Sequence, residues 1–407
     1  MILAALILEA LKNLTGNLLR TSLTMLGVII GVASVITMVA IVEGGQLWLV
    51  RSIERLGTNL VFVWNKTLTA EERRLYEGRS IGLRYDDVLA IRARFPDLQV
   101  VPVVELDYSV KAAGRHFKGR VTGTSPEYAD ARNFHPAVGR FLLPTDIAEW
   151  KRVVVLGQEA AEKLFDQTSP LGKELKIGNQ RFTVVGVMEK KGTIYGANYD
   201  EMLFIPVTTA MRRFQGNDKL DSLIIHVPRR EQMEAIMAQV HALLVQRHDG
   251  VDDVRVRSQG EFLKAVDRTI WTFRIVLGGV AVVALVVGGI GIMNIMLVTV
   301  TERTREIGLR MAVGATRRHI LLQFLVESVV ISVVGGVIGM MVGIVAAYGF
   351  GDVVAQSMPG GGEWGAVVQP SAMLIAFSFA VIVGIFFGLY PALKASKLDP
   401  AEALRYQ

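Results

Sequence analysis

The sequence of 407 residues contains no cysteine. This absence excludes disulfides, thiolate metal sites and thiol nucleophiles together, although it does not assign a cellular compartment. The six histidines are dispersed, without the H-x-x-x-H or H-E-x-x-H spacing that places two metal ligands on one helical face. His241 and His248 are seven residues apart and could share a face, but no carboxylate motif accompanies them. We therefore expect exposed, structural histidines and no metal site.

Nucleotide and catalytic motifs are also missing. No G-x-x-x-x-G-K-[ST] sequence is present, so the chain lacks the backbone cradle and lysine that hold nucleotide phosphates. Gly78-Arg79-Ser80-Ile81-Gly82 matches the G-x-S-x-G pattern, but a nucleophile elbow needs a buried strand before the serine. Here the charged segment Glu71–Glu77, typical of a solvated linker, precedes it. We expect no catalytic residues and no cofactor in this chain; if the protein uses ATP, another subunit binds it.

Charge is absent from four long stretches, each of which exceeds the ~20 apolar residues that a helix needs to cross a bilayer. These stretches are Thr21–Val42, Ile275–Thr301, Ser328–Gly351 and Trp364–Leu393. Four such runs predict a multi-pass α-helical membrane protein in contact with lipid. The lack of charge within them argues against a proton- or ion-coupled pathway and favours a machine powered from outside.

The formal net charge of +6 sits near the ends of these runs, which indicates membrane orientation and no nucleic-acid partner. The Glu302–His319 loop carries five arginines, whereas the Asp352–Glu363 loop has no Lys or Arg. The positive-inside rule therefore places both termini and the arginine-rich loop in the cytoplasm, and the segment between the first two spans outside. We expect the cell inner membrane, with an uncleaved anchor and an amphipathic interfacial helix before the first span.

The outer segment predicts a large extracytoplasmic α+β domain, because a strand–helix–strand pattern occurs in it twice. The first copy is predicted at Leu60–Trp64, Asp86–Phe95 and Val100–Val104, and the second at Leu223–Val227, Glu231–Val245 and Val254–Val256. Between the copies, Leu106–Lys219 is rich in strand patterns. Gly178-Asn179 in this insertion suits a two-residue hairpin turn.

The arginine-rich loop is the most informative short segment. Its charges alternate with apolar Ile307, Leu309, Met311 and Val313. A short helix of this type can dock in a partner's groove with an apolar ridge and a charged rim. A solvated loop whose arginines serve only topology fits equally well, and the residues alone do not decide between the two.

Small residues within the spans predict close helix packing. The G-x-x-x-G spacings are formed by Gly27 and Gly31 in the first span and by Gly335, Gly339 and Gly343 in the third. Asn294 is the clearest polar side chain within the second span. We expect it to form an interhelical hydrogen bond rather than a substrate contact.

Three segments of the chain together resemble the membrane subunit of MacB-type ABC transporters, within the wider FtsX-like permease family. They are Leu19–Ile36, Val153–Gly192 and Gly288–Ala315, and the resemblance covers nearly the whole length. It implies a split βαβ porter-like part, an inserted β-rich sabre-like part and a dimer of permeases, with a homodimer favoured. The fused ATPase of MacB has no counterpart in this sequence, so the resemblance implies a separate ABC ATPase subunit that binds the ATP and Mg²⁺.

The resemblance also implies a mechanism, in which the arginine-rich loop couples to the ATPase and the outer domain does the work. The residues that match the coupling motif are Arg303, Arg305, Glu306, Gly308, Arg310, Gly314 and Ala315. A periplasmic adaptor and an outer-membrane channel are the further implied partners. Efflux of amphiphiles, peptides or antibiotics is the leading function. The alternatives are an FtsX-like scaffold that regulates cell-wall hydrolases and a lipoprotein-release permease.

The expected division of the chain follows from the spans and this resemblance. The parts are an interfacial helix (1–20), the first membrane helix and stalk (21–57), the first porter-like half (58–105), the sabre-like insertion (106–219), the second porter-like half (220–259), the stalk and second membrane helix (260–301), the coupling loop (302–319), the third membrane helix (320–351), the outer loop (352–363), the fourth membrane helix (364–393) and the cytoplasmic tail (394–407).

Overall fold

The structure is a computed structural model that describes residues 6, 8–10, 18–76, 82–166, 168–194, 197–357 and 364–405. Within these residues the chain forms two compact units. The helical unit comprises the described residues of Met1–Trp48, Arg268–Met358 and Gly362–Gln407, and the outer unit comprises those of Leu49–Asp267. Most of the predicted interfacial helix, the first four residues of the G-x-S-x-G sequence and the second half of the outer loop lie outside the described residues.

The elements are numbered along the chain. The helices are α1 Leu18–Glu54, α2 Ala70–Leu75, α3 Tyr85–Arg94, α4 Tyr128–Ala131, α5 Pro144–Ala148, α6 Gln158–Phe165, α7 Val207–Ala210, α8 Met233–Arg247, α9 Gln259–Glu302, α10 Thr304–Ala312, α11 Arg317–Ser357, α12 Pro370–Ser396 and α13 Pro400–Arg405. The strands are β1 Leu60–Asn65, β2 Gln99–Ala112, β3 Arg115–Thr124, β4 Pro136–Gly139, β5 Val153–Leu156, β6 Glu174–Ile177, β7 Gln180–Met188, β8 Thr193–Ile194, β9 Ala197–Asn198, β10 Leu203–Pro206, β11 Ser222–His226 and β12 Val254–Ser258.

Four of these helices, α1, α9, α11 and α12, are long and apolar enough to cross a membrane, which confirms the prediction from the charge-free runs. A helix bonds all of its backbone groups internally, so it is the form that such runs take where water is absent. The helices continue beyond the runs. In particular, α1 extends to Glu54 and α9 begins at Gln259, so the predicted stalk segments are parts of these two helices.

Two strand–helix–strand copies form one half of the outer unit's sheet, as predicted. β1, α3 and β2 make the first copy, and β11, α8 and β12 make the second. The copies interleave, because β11 pairs with both β1 and β2 while β1 also pairs with β12, all antiparallel. Among the described strands the order along the large sheet is β12-β1-β11-β2-β3-β10-β5-β7-β4.

The β-rich part joins this half through β2. The sequence predicted that β2 ends at Val104, but it runs on to Ala112 and pairs with β11 in its first half and β3 in its second. The strand continues because the alternation of buried and exposed residues continues, with Leu106, Val110 and Ala112 all buried. The predicted hairpin between β6 and β7 is present, and Gly178 takes the positive φ of 55° that its turn requires.

Both faces of the sheet are covered by apolar cores. Successive residues of a strand point to opposite faces, and β2 follows this rule. Val100 and Val104 belong to one core with α3 and α8, whereas Val101 and Val103 belong to the other with α4. Phe134, Phe182 and Phe204 are among the largest fully buried side chains.

A buried histidine links three segments of the outer unit. The prediction that the histidines are exposed is wrong for His248, which has no exposed surface. Its Nδ1 lies 2.5 Å from an Asp253 carboxylate oxygen, and its Nε2 lies 3.2 Å from an Asp87 oxygen. The Arg247 Nε also donates to Asp87 at 2.7 Å. These partners tie the end of α8 to α3 and to the loop before β12.

The positive and negative side chains of this cluster stabilise one another's charged forms. Burial acts to lower the pKa of His248, but its hydrogen bonds with Asp87 and Asp253 outweigh burial, and the pKa is raised above the ordinary value. Burial likewise acts to raise the pKa of Asp87, but hydrogen bonds from His248 and Arg247 hold it below the ordinary value. The cluster therefore stabilises the fold when His248 is protonated and Asp87 is ionised.

We predict a pH-dependent loss of stability on removing this imidazole. The contribution of His248 is complete below its unfolded pKa, about 6.5, and is lost as pH rises through its raised folded pKa. That of Asp87 is present above about 3.9 and is lost as pH falls through its lowered folded pKa. His248→Ala, which removes a charged partner from both Asp87 and Asp253, should cost about 3 kcal/mol at pH 5.5, and the cost should shrink at high pH.

Thermal unfolding of the purified full chain at several pH values measures this difference. His241→Ala is the matched control, because His241 lies on the same helix and pairs with Asp252 in a half-exposed site. It should change stability by less than about 1 kcal/mol at any pH. An equal cost for the two variants, or a cost for His248→Ala that grows with pH, would contradict the assignment.

Candidate functional site

The loop between the second and third membrane helices folds as a helix of its own. α9 ends at Glu302, one residue separates it from α10, and the Thr304 hydroxyl bonds the Val300 and Thr301 carbonyls at 3.0 and 2.9 Å. Gly314 ends the turn after α10 with a φ of +109°, a value that a side chain disfavours. The hydroxyl of Thr316 then accepts from the His319 N–H as α11 starts.

The inner face of α10 packs within the helical unit. Thr304, Ile307 and Gly308 are buried on this face. Ile307 joins the apolar core of the helical unit. A Cβ on Gly308 would lie 2.7 Å from the Ala403 Cβ of α13, so this position requires glycine to seat the C-terminal helix. Gly308 is therefore held inside the protomer and is not free to contact a partner.

Two of the predicted coupling arginines bond to groups of the same chain. An Arg303 nitrogen lies 3.9 Å from a carboxylate oxygen of Glu327, which is only 7% exposed. Arg310 donates to Glu9 at 3.0 Å and to Glu306 at 2.8 Å. Glu327 precedes the charge-free run by one residue but is buried within α11, so the third span is not charge-free throughout. Arg303 supplies the opposite charge that a buried carboxylate requires.

The outer face of α10 carries an exposed ridge, which we define as Arg305, Glu306, Leu309 and Val313. Leu309 is 57% exposed and Val313 is 83% exposed, although both are aliphatic. Residues four apart lie above one another on a helix, so the two form one apolar strip with Arg305 and Glu306 beside it. Of the seven predicted coupling residues, Arg305, Glu306 and Gly314 are exposed, and Ala315 is partly buried against the core.

Leu309 and Val313 were not among the predicted site residues. The alternation of charged and apolar residues flagged four aliphatic side chains equally, and it gave no phase to separate them. Packing separates them: Ile307 and Met311 contact the core, whereas Leu309 and Val313 do not. The contact between Gly308 and Ala403 fixes which face of α10 points inward. The sequence pattern alone does not contain this information.

Glycines allow α1 to approach α9 and α11 closely. A Cβ on Gly27 would lie 2.5 Å from the Gly288 Cα, so the two backbones touch at this crossing. Gly339 and Gly343 face the backbone of α1 at 2.9 and 3.0 Å, measured in the same way. The Thr37 hydroxyl donates to the Gly343 carbonyl at 3.1 Å. Gly288, whose backbone contacts Gly27 at the crossing of α1 and α9, was not among the predicted packing residues.

The remaining predicted packing residues are less constrained. A Cβ on Gly31 would meet a flexible Leu285 side chain, and one on Gly335 would meet Val28 at ordinary contact distance. Asn294 is exposed and forms no hydrogen bond within the described part of the chain. The predicted interhelical bond is therefore absent among the described residues, where Asn294 is exposed.

The described residues include no group of three or more His, Asp or Glu side chains placed to hold a metal ion. Of the G-x-S-x-G sequence, Gly82 is described, and its N–H donates to Asp253 at 3.1 Å. The site with the clearest chemical character in the helical unit is therefore the exposed ridge of α10.

Comparison with known proteins finds a matching family model for each of two parts of the chain. Residues 21–243 match the family model of the MacB-like periplasmic core domain, and residues 278–400 match that of the FtsX-like permease C-terminal region. Among curated relatives, the macrolide export ATP-binding/permease protein MacB of Bdellovibrio bacteriovorus is 36% identical over 405 residues, covering 98% of this chain and 61% of the relative. The pyoverdine export ATP-binding/permease protein PvdT of Pseudomonas entomophila is 38% identical, covering 95% and 57%.

The chain thus spans about 60% of the length of the curated relatives that it matches. Among solved structures, the periplasmic region of MacB from Actinobacillus actinomycetemcomitans is 20% identical, with a TM-score of 0.45, and covers 55% of this chain and 97% of that one.

We predict that the crossing of α1 and α9 tolerates no side chain larger than hydrogen. Gly288→Val should lower the thermal stability of the purified protein, because its Cβ would lie 2.7 Å from the Gly27 carbonyl carbon and force the helices apart. The expected cost is about 1–3 kcal/mol. Gly278→Val on the same helix is the control, since no atom lies within 4 Å of its Cβ. Equal midpoints for the two variants would contradict the assigned contact.

Proposed function

Because the chain belongs to the family of MacB-like periplasmic core domains with an FtsX-like permease region, we propose that it is the membrane-spanning part of an ABC transporter. A partner ABC ATPase, which binds the ATP and Mg²⁺, moves α10. The helical unit then transmits this movement to the outer unit, which performs the work outside the membrane.

The exposed ridge is the single observation that carries this proposal. Leu309 and Val313 together form an exposed apolar strip with charged residues beside it, and an apolar surface with a polar rim is typical of a contact with another protein. A short helix with an apolar strip and a charged edge is suited to a groove in a partner. Anchoring by Gly308 and by the Arg303–Glu327 pair keeps the ridge rigid enough to be pushed.

The path for the movement is short. One residue, Arg303, separates α10 from α9, and α9 is a single helix from Gln259 to Glu302. A continuous helix bonds its backbone internally along its length, so displacement of one end is carried to the other. The backbone contact between Gly27 and Gly288 makes α1 move with α9.

Efflux of amphiphilic compounds, peptides or antibiotics is the proposed task, with a periplasmic adaptor and an outer-membrane channel as further partners. The names of two relatives, a macrolide export protein and a pyoverdine export protein, support an export role. We propose a homodimer, which Asn294 supports: an exposed amide in an apolar span is costly in lipid and would gain a partner from a second copy. The proposed orientation has both termini and α10 in the cytoplasm.

The ridge predicts a specific loss of coupling. Leu309→Asp and Val313→Asp should each reduce transport-stimulated ATP hydrolysis by the cognate ATPase at least tenfold, because a carboxylate buried in the partner's groove costs well over 1.4 kcal/mol. Val313→Ile, which keeps the apolar strip, should retain stimulation. Hydrolysis is measured with the full chain and its ATPase in nanodiscs, and gel filtration checks that each variant folds. Normal stimulation in both aspartate variants would remove the ridge from the interface.

The absence of cysteine provides a direct test of orientation. A single cysteine at Val313→Cys should react with a membrane-impermeant maleimide only after cell lysis, because α10 is proposed to face the cytoplasm. A single cysteine at Ser357→Cys, at the end of α11, should react in intact spheroplasts. The unchanged cysteine-free chain is the background control. The opposite labelling pattern would reverse the topology without affecting the fold.

A further inference from the structure

A cavity in the outer unit combines apolar walls with unpaired positive charge. Its volume is about 640 Å³, and Ile53, Leu56 and Phe262 are among the residues that line it. Pockets of this size hold small organic ligands. Phe62 and Trp64 form part of the wall as a stacked pair, with ring centroids 5.5 Å apart and planes at 12°. Trp64 remains 40% exposed, so the aromatic surface is open to a ligand.

Arg132 lines this cavity, and its guanidinium is buried without a counter-ion. The residue is only 8% exposed, and within the described residues it forms no ion pair with a carboxylate. One terminal nitrogen donates to the Tyr199 hydroxyl at 2.5 Å, whereas the buried Nε has no hydrogen-bond partner. Burial raises the pKa of the neighbouring Tyr128 to about 12, so that hydroxyl carries no charge either.

Ring contacts do not account for this guanidinium. It lies 5.8 Å from the Phe62 centroid and 5.7 Å from the Tyr199 centroid, near the outer limit of a cation–π interaction. Such contacts contribute about 0.5–2 kcal/mol each. Removing a charge from water costs several kcal/mol per ion. The partners of Arg132 among the described residues are therefore neutral groups, and no carboxylate balances its charge.

Two further arginines face the same cavity from β12. Arg255 and Arg257 stand opposite Trp64 and Phe62 in the β1–β12 register, so they share the face that carries the aromatic pair. Both are exposed, and neither forms an ion pair among the described residues. The residues that line the cavity include no Asp or Glu. The wall thus offers three cations and no anion.

The half-buried amine of Lys191 indicates the same positive surroundings. Its ammonium donates to the Arg132 and Asn133 carbonyls and lies 4.7 Å from the Phe134 centroid. Its pKa is lowered to about 8, chiefly by burial; Glu189 opposes this shift, and the charges of Arg132 and Arg55 add to it. An anion beside Arg132 would relieve this repulsion.

We propose that this cavity binds an anionic amphiphile, with a carboxylate, phosphate or sulfonate on Arg132 and Arg257 and an apolar body against Phe62, Trp64 and Phe262. The anion supplies the charge that Arg132 lacks, and hydrogen bonds to a charged group are stronger than those to neutral acceptors. The binding site stands independently of the exposed ridge. As a statement about transported cargo, it rests on the function proposed above.

Photoaffinity labelling of the full chain tests the site. The probe is a long-chain fatty acid with a diazirine in its chain, added to the protein in phosphatidylcholine nanodiscs, and crosslinked peptides are identified by mass spectrometry. Labelling is expected on peptides that contain Phe62, Trp64 and Phe262. The fatty alcohol of the same length should label them at least tenfold less, because it lacks the charge.

The variants separate the charge from the apolar walls. Arg132→Met and Arg257→Met should each reduce labelling by the acid severalfold and leave labelling by the alcohol unchanged. Arg257 is exposed, so its variant carries the test if Arg132→Met fails to fold. Arg94→Met is the control, since Arg94 lies over Phe95 in the same unit and does not line the cavity. Equal labelling by acid and alcohol, or labelling unaffected by either cavity variant, would overturn the proposal.

Competition identifies the source of the amphiphile. Loss of labelling when phosphatidylglycerol is added to the nanodisc assigns the site to a bilayer lipid, whereas loss on adding aqueous dodecanoate alone assigns it to a soluble compound. Failure of both to compete would overturn the site. The assay contains no ATPase, so its failure leaves the proposed coupling intact. Conversely, normal labelling with no ATPase stimulation would contradict the proposed function alone.

Discussion

Contact between glycine backbones is the constraint on which the helical unit depends. Apolar helices in lipid gain no hydrophobic stabilisation from each other, so their association relies on close packing. The Gly27–Gly288 crossing brings α1 and α9 together, and Gly339 and Gly343 bring α11 against α1. Dispersion energy falls off steeply when a gap opens between surfaces. These helices are therefore held as one body by the absence of side chains at a few positions.

The coupling helix follows from this packed body. α10 is fixed from inside by Gly308 against Ala403 and by the Arg303–Glu327 pair. The arginines that the resemblance assigned to a partner are thus partly occupied within the chain. What remains for the partner is mainly an apolar strip, Leu309 and Val313, with charge at its edge. Binding would then depend on shape and burial, and the charges would govern orientation and the rate of encounter.

The sequence pattern within short segments was sufficient to predict the membrane helices and one hairpin. Charge-free runs gave the four spans, and alternation with Gly178-Asn179 gave the β6–β7 hairpin. The errors concern partners distant in sequence. His248 meets Asp87 across 161 positions, and its burial follows from that pairing rather than from its neighbours in the chain. The extension of β2 to Ala112 was visible as alternation, but its pairing with two different strands was not.

The candidate site shows the same limit. Alternation of charged and apolar residues identified four apolar side chains in the loop after the second span, but the choice between the inner and outer pairs depends on where α13 packs. Gly288 was overlooked because it has no glycine partner at four-residue spacing within the quoted motifs, and its partner Gly27 lies on another helix. The spacing of glycines in the sequence identifies positions on one face of a single helix. It does not show which residues of a second helix that face contacts.

Charge pairing distinguishes Arg132 from three buried carboxylates, Glu327, Asp146 and Asp87. Glu327 lies beside Arg303, Asp146 beside Arg140, and Asp87 beside His248 and Arg247, so each of these carboxylates gains an opposite charge where water is excluded. Among the described residues, the Arg132 guanidinium contacts a tyrosine hydroxyl and aromatic rings and forms no ion pair. A fold that pairs these ions has the means to pair this one, and Arg132 instead borders an open aromatic cavity. The free energy that would otherwise be gained by an internal ion pair is thereby left for a ligand that brings its own negative charge.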